Sequence, residues 1–308
     1  MFHPRGCFTA IVTPFTADGA SVDFARLDEQ VRFQAAGGVS GIVPCGTTGE
    51  SPTLSEKEQC QVIERALAAA RAAGRSTPVQ VIAGAGSNCT AHAVHMQKFA
   101  ASVGADASLQ VNPYYNKPSQ EGLYRHFMTI ADSADLPIVL YNIPGRTGVA
   151  LSPATVERLA AHRNIVAIKE ATGSLDSASE ILQRCDIALL SGDDSLTLPF
   201  ASVGGVGVVS VVSNILPGKV QSLCDAFLGQ DWTTAQALHR ELFALCRGLL
   251  SLDTNPIPIK AAMAQLGRDT GALRLPMCAA GAAAQAEIKA LLAKAGLARA
   301  EMAKAGLA

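Results

Sequence analysis

Aromatic residues make up only 5% of this chain, and no apolar run reaches membrane-spanning length without a glycine or polar interruption. The second shortage argues against a spanning helix. Charge is sparse and balanced, with 25 Lys and Arg against 26 Asp and Glu and a formal charge of −1. No basic run is present to follow a nucleic acid or grip a membrane surface. The eight cysteines, at 7, 45, 60, 89, 185, 224, 246 and 278, form no C-x-x-C pair and no Cys/His grouping with zinc-ligand spacing. The opening Met1-Phe2-His3-Pro4-Arg5-Gly6 lacks the apolar core of a signal peptide. These shortages predict a soluble, cytoplasmic chain with reduced thiols, and they make the Asn88-Cys89-Thr90 sequon a chance match.

Nucleotide-binding fingerprints are missing too. Gly84-Ala85-Gly86 is followed by Ser87, Asn88 and Cys89, and Gly205-Val206-Gly207 reaches Ser210, so neither completes G-x-G-x-x-G. No Gly-Lys-Ser/Thr triplet exists to build a P-loop.

What is present is Ala, Val, Ile and Leu, in a chain that is 49% hydrophobic. Short β-branched runs at 8–12, 41–44, 79–83, 107–111, 138–141, 165–169, 187–190 and 206–211 read as buried strands. Helical patterns lie between them near 23–36, 55–73, 90–103, 119–134, 153–162, 174–184 and 194–203. Asp23, Ser55 with Glu58, Thr90, Ser119 and Ser152-Pro153 are their expected caps. Eight alternating units predict an α/β fold, a (β/α)8 TIM barrel. Beyond 211 the pattern is purely helical, near 216–229, 231–250, 256–267 and 281–297. We therefore expect a barrel over 1–230 and a C-terminal helical extension over 231–308. The Ala-Lys-Ala-Gly-Leu-Ala repeat at 293–298 and 303–308 reads as a terminal slip, not a functional unit.

In such a barrel the strand C-termini and the loops after them face the active site. Unusual residues collect there: Thr47, Thr48, Glu50 and Ser51 after strand two, and Tyr114, Tyr115 and Lys117 after strand four. Tyr141 and Arg146 follow at strand five, Lys169 and Glu170 at strand six, and Asp193 and Asp194 after strand seven. Lys169 ends the apolar run Ile165-Val166-Ala167-Ile168. Burial works against an ammonium charge, which makes this lysine a candidate amine nucleophile. A lysine paired with a buried carboxylate is the competing reading. The other eight lysines fall in helical or loop patterns and present no such case.

Tyr141 offers an uncharged phenol for proton transfer, or merely an aromatic cap on the barrel. Arg146, framed by Pro144, Gly145 and Gly148, can face a carboxylate or form a surface ion pair. Thr47 and Thr48 can hold a carboxylate or stabilise a turn. Glu50, Asp193 and Asp194 read as loop-fixing acids, and His92, His95 and His126 as ordinary helix residues.

Taken together, GTTGES at 46–51, NPYYNKPSQEGLYRHF at 112–127, LYNIPGRTG at 140–148, IKEATG at 168–173 and SGDD at 191–194 are recognisable, with TNPIPIK at 254–260 and LRLP at 273–276 behind them. In order from about Gly6 to Gly296, the chain resembles the dihydrodipicolinate synthase family. That family belongs to the pyruvate-dependent class I aldolases, which include N-acetylneuraminate lyase. The resemblance implies a Schiff-base lyase that needs no metal or cofactor. It would condense pyruvate with L-aspartate 4-semialdehyde to 4-hydroxy-tetrahydrodipicolinate in lysine and diaminopimelate biosynthesis. Lys169 would form the imine, and Tyr141, Thr48 and Tyr115 would relay protons, Tyr115 from a neighbouring subunit of a homodimer or homotetramer. Thr47 and Thr48 would hold the pyruvate carboxylate and Arg146 that of the aldehyde, with main-chain groups near Gly192 and Val209 lining the pocket. Many members bind lysine as an inhibitor. Here Ser51, Asn88 and Tyr114 match that site, but Glu56 and Gln59 replace two histidines and His92 replaces a glutamate. Weak lysine inhibition is the expectation. Sugar-acid or sialic-acid aldolase chemistry, a silent binding barrel and a metal-dependent aldolase are the alternatives.

Overall fold

A computed structural model of the chain describes residues 2 and 4–297. Eight strands pair in parallel in chain order: β1 Gly6–Thr9, β2 Gly41–Ile42, β3 Gln80–Gly84, β4 Ala107–Val111, β5 Ile138–Asn142, β6 Ile165–Glu170, β7 Ala188–Ser191 and β8 Gly207–Ser210. Strand β1 also pairs with β8, Phe8 opposite Val209, and the sheet closes on itself. The fold is the expected (β/α)8 barrel.

The first strand sits earlier than the hydrophobic run suggests. It ends at Thr9; beyond it the Ala10 N–H still donates to the Ser210 carbonyl and the Ile11 N–H to that of Val43, and the Val12 N–H turns to the Asn214 side chain. Phe8, Val43, Ile82, Leu109, Val139, Ala167, Leu190 and Val209 pack together inside the barrel. Each lies on one strand or, for Val43, at the residue just after it, as the two-residue period of a strand requires. Burying a side chain of the Val, Leu, Ile or Phe kind contributes roughly 1.5–3 kcal/mol, so this layer is a packed core and not a pore.

Around the barrel run α1 Phe24–Ala36, α2 Glu56–Ala72, α3 Thr90–Ser102, α4 Gln120–Ser133, α5 Pro144–Thr147, α6 Pro153–Ala160, α7 Leu175–Arg184, α8 Thr197–Ser202 and α9 Pro217–Leu228. Asp23, Ser119 and Ser152 cap their helices, and Ser55 with Glu58 forms a full capping box. Thr90 does not cap. Cys89 holds that position without a side-chain bond, and the Thr90 hydroxyl instead pairs with His126 Nδ1 at 2.9 Å. The single-turn α5 is shorter than the helical patterning could reveal. The predicted helix at 194–203 divides into a 3₁₀ turn at 194–196 and α8.

Three further helices follow, α10 Trp232–Leu252, α11 Ile257–Gln265 and α12 Ala282–Lys294. Helix α10 lies against α9 and α12, and α11 against α12 and α10. Polar bonds fasten this extension to the barrel mouth. Lys260 of α11 donates to Glu50 Oε1 at 2.6 Å and to the Thr13 carbonyl at 2.9 Å. Arg274 donates to both Glu58 carboxylate oxygens, at 2.7 and 2.9 Å, and to the Thr53 carbonyl. Its guanidinium pulls the Glu58 carboxyl down to about 2. The repeat at 303–308 lies outside the described residues. Among the described residues no helix is long and apolar enough to cross a membrane.

Candidate active site

Strand alternation and barrel register bring the two central side chains together. Val139 and Ala167 point into the barrel, and so do the residues two positions on, Tyr141 and Lys169. Tyr141 and Lys169 are register partners across β5 and β6. The Lys169 Nζ sits over the Tyr141 ring, 4.0 Å from its centre, and the two residues are 6% and 4% exposed. Among the described residues no carboxylate lies within ion-pair distance of that nitrogen. Glu170, the next residue, takes the opposite face. It is fully buried and accepts from Asn142 Nδ2 at 3.0 Å and from the Thr172 N–H at 2.7 Å. Burial raises its carboxyl above the usual range, against those bonds. Glu170 thus ties β5 to β6 directly behind the Tyr141–Lys169 pair.

The turn after β2 supplies the second part. Cys45 and Glu50 both adopt left-handed backbone, at φ 56° and 54°, a conformation costly without glycine. Gly84 of the adjacent strand allows the turn to fold close, since a Cβ there would come within 2.1 Å of the Cys45 carbonyl. The N–H groups of Thr47 and Thr48 donate to no protein acceptor among the described residues. They are therefore free for an anion. The Thr48 hydroxyl is buried and accepts from Asn255 Nδ2 at 3.0 Å. Arg146, on α5, is exposed, and its Nη2 donates to the Asn255 carbonyl at 2.9 Å.

A cleft of about 280 Å³ opens beside this group, its walls including Thr47, Ser51, Gln59, His92, Tyr114, Ile143 and Arg146; Lys169 and Thr48 are not among its lining residues. A smaller cavity of about 40 Å³ adjoins it, sharing Thr47, Ser51 and Val111 and lined also by Leu109 and Tyr141. Cys45 borders both, and burial pushes its thiol well above the ordinary value, so it acts there as an apolar wall. All eight cysteines are unpaired.

Tyr115 stands apart from this group. It is 91% exposed at φ 72°, on a turn braced by Asn116 Nδ2 to the Asn88 carbonyl and Asn88 Nδ2 to the Tyr114 carbonyl. Gly192 follows β7 and donates its N–H to the Glu170 carbonyl at 2.8 Å. A Cβ there would meet that of Ala171 at 2.5 Å. Val209 is buried in the barrel interior beside Tyr141 and Leu190. Asp193 caps the 3₁₀ turn through the Ser195 N–H, and buried Asp194 accepts from the Ser210 hydroxyl and the N–H groups of Val211 and Val212.

Sequence reasoning missed two residues here. Lys260 is more deeply buried than Lys169, at 0% exposure, although its helical pattern suggested an ordinary lysine. Its signal was compositional, since Pro256-Ile257-Pro258-Ile259 leads into an all-round apolar helix that exposes no face for a charge. Asn255 is the other. It carries no signal before folding brings 255 to 48 and 146.

Comparison with known proteins agrees over nearly the whole chain. Residues 3–295 match the family described as the dihydrodipicolinate synthetase family. A 4-hydroxy-tetrahydrodipicolinate synthase from Methanocaldococcus jannaschii is 50% identical over 275 residues, 89% of this chain and 92% of the relative. The crystal structure of dihydrodipicolinate synthase from Aquifex aeolicus is 44% identical with a TM-score of 0.91, over 95% of this chain and 98% of that one. The chloride-inhibited dihydrodipicolinate synthase from Acinetobacter baumannii, complexed with pyruvate, is 39% identical with a TM-score of 0.91, over 95% and 99%.

Proposed function

The chain belongs to the dihydrodipicolinate synthetase family, and we propose that Lys169 carries its condensation of pyruvate with L-aspartate 4-semialdehyde to 4-hydroxy-tetrahydrodipicolinate. One observation supports this above the rest: a buried amine with no carboxylate partner among the described residues, packed on a phenol that lines a small cavity beside the cleft. The Lys169 amine attacks the pyruvate ketone, and water leaves to give a cationic imine. That cation draws electrons from the adjacent methyl group, which loses a proton and becomes an enamine. The enamine carbon bonds to the aldehyde carbon, whose oxygen takes a proton. The substrate's own amine then displaces Lys169 and closes the ring.

Tyr141 relays protons in these steps, a role typically worth about 10²–10⁴-fold. Thr47 and Thr48 offer their unengaged N–H groups to the pyruvate carboxylate, and Arg146 holds the aldehyde's carboxylate at the cleft wall. Main-chain groups near Gly192 and Val209 complete the lining. Tyr115, directed outward from its own chain, serves the relay of a partner subunit in a homodimer or a homotetramer of paired dimers. The products feed lysine and diaminopimelate biosynthesis, and the site of action is the cytoplasm. The same proposal divides the chain into a barrel over 1–230 and an extension over 231–308, since α9 ends at Leu228 and α10 begins at Trp232.

Borohydride reduction in the presence of pyruvate, followed by peptide mapping, tests the reading. The expected adduct is on Lys169. A label on another lysine, or none, would refute it, and assays with aspartate semialdehyde against sialic acid separate this activity from the lyases.

A further inference from the structure

We infer that Lys260 is a positioning residue for the keto acid: from the extension it holds the turn after β2 in the strained form that frees the Thr47 N–H for the pyruvate carboxylate. The inference rests on the lysine-imine reading above. Thr47 lines both the cleft and the smaller cavity, and the direction of its N–H is set inside the turn. The Gly46 carbonyl accepts from the Ser51 N–H at 3.4 Å, and the Thr47 carbonyl from the Glu50 N–H at 3.1 Å. In a planar trans peptide the C=O and the next N–H point in opposite directions, so a Gly46 carbonyl drawn into the turn sends the Thr47 N–H out of it. Both inner donors belong to the two peptides that flank Glu50, so their aim depends on its left-handed backbone, φ 54°. That conformation is unfavourable for a residue with a Cβ and lasts only where its surroundings hold it.

Lys260 supplies that hold twice. Its Nζ donates to Glu50 Oε1 at 2.6 Å, which fixes the side chain of the strained residue. It donates as well to the Thr13 carbonyl at 2.9 Å, and the Thr13 hydroxyl in turn donates to the Gly49 carbonyl at 2.6 Å. Glu50 is thus gripped on its side chain and on the peptide before it, and its second oxygen accepts from the Arg274 N–H at 3.3 Å. Lys260 is 0% and Glu50 3% exposed, so water does not stand in for either partner. An ammonium that never touches the substrate therefore governs how well its carboxylate is held. The carboxylate keeps that contact through every step, so weakening it raises KM and leaves kcat.

Lys260→Met removes the hold, and two double variants separate strain from stranded charge. Lys260→Met with Glu50→Gln discharges the buried carboxylate but keeps the strained backbone. Lys260→Met with Glu50→Gly discharges it and also removes the strain, because glycine adopts positive φ freely. Two measurements are made on each variant and on the unaltered protein: the pyruvate concentration that half-saturates borohydride trapping on Lys169, and steady-state kcat with the KM for each substrate. Half-saturating pyruvate and its KM should rise about 10-fold in Lys260→Met and stay raised when Glu50→Gln is added. With Glu50→Gly they should return to within about threefold of the unaltered protein. The aldehyde KM, and kcat at saturating pyruvate, should stay within about threefold throughout.

A pyruvate KM within about twofold of the unaltered protein in Lys260→Met would overturn the inference. Equal pyruvate affinity in the two double variants would overturn it as well, whether both recover or neither does, because strain at residue 50 would then not be the cause. So would a parallel loss of kcat and aldehyde affinity, which is what a loosened protein shows. If Lys260→Met alone does not fold, the two double variants decide by their difference in pyruvate affinity. Failure to trap Lys169 in the unaltered protein would remove the imine reading, and this inference with it.

Discussion

Lys169 on β6 and Lys260 on α11 are the two buried lysines among the described residues, and they are buried in different company. Lys260 has a carboxylate at 2.6 Å, a carbonyl at 2.9 Å and the Phe15 ring centre at 4.3 Å. Its charge is fully matched, and it locks the extension onto the turn after β2. Lys169 has a ring face at 4.0 Å and, among the described residues, no carboxylate within ion-pair distance. Depth of burial does not separate a structural lysine from a reactive one. The presence or absence of a counter-charge does.

The largest effect that could break this contrast is at Lys169. Lys169→Arg keeps a positive charge in place but cannot form the imine, so turnover should fall by about 10⁴-fold or more, with thermal stability close to that of the parent. Retained turnover would end the distinction between the two lysines. Tyr141→Phe should lose about 10²–10⁴-fold in kcat, while borohydride still traps pyruvate on Lys169.

The opposite signature is expected at Lys260. Lys260→Met strands the Glu50 carboxylate in a site where it is only 3% exposed, which should cost about 3–5 kcal/mol in urea unfolding. Adding Glu50→Gln to that variant should recover part of the loss, since the stranded charge is gone. A Lys260→Met protein as stable as its parent would show that the pair holds nothing together.

A smaller effect concerns a buried base away from either lysine. Burial lowers the His126 imidazole to about 4, from 6.5. Its folded value lies below its unfolded one, so the unfolded chain binds the proton first as pH falls. The stability contributed by neutral His126 is present above about pH 6.5 and is lost progressively toward pH 4, up to about 3 kcal/mol. His126→Asn should flatten that part of the stability–pH curve measured by denaturant unfolding. The smallest change is expected from added L-lysine. His92 and Gln59 line the cleft, while the Glu56 carboxylate is engaged by His95 at 3.1 Å and lies beside His92 at 3.6 Å. Lysine near substrate concentrations should leave the steady-state rate almost unchanged.

Much of this was legible before folding. Alternating β-branched runs and capped helices announced eight parallel units because a strand buried on both faces needs apolar residues throughout, and a helix end needs a side chain to satisfy its free N–H groups. Lys169 stood out as a charge ending an apolar strand. Thr90 misled because a threonine opening a helix also has an alternative partner, His126, that sequence distance conceals.

The sequence by itself determined the strand count, the barrel class and the strand ends on which Tyr141 and Lys169 sit, because those depend on local periodicity. Only the tertiary structure decided which lysine meets a carboxylate, which loop N–H groups stay free, and that Asn255 reaches Thr48 and Arg146. Those contacts join residues separated by 109 to 210 positions, and no local pattern encodes a neighbour that the closing of the barrel supplies.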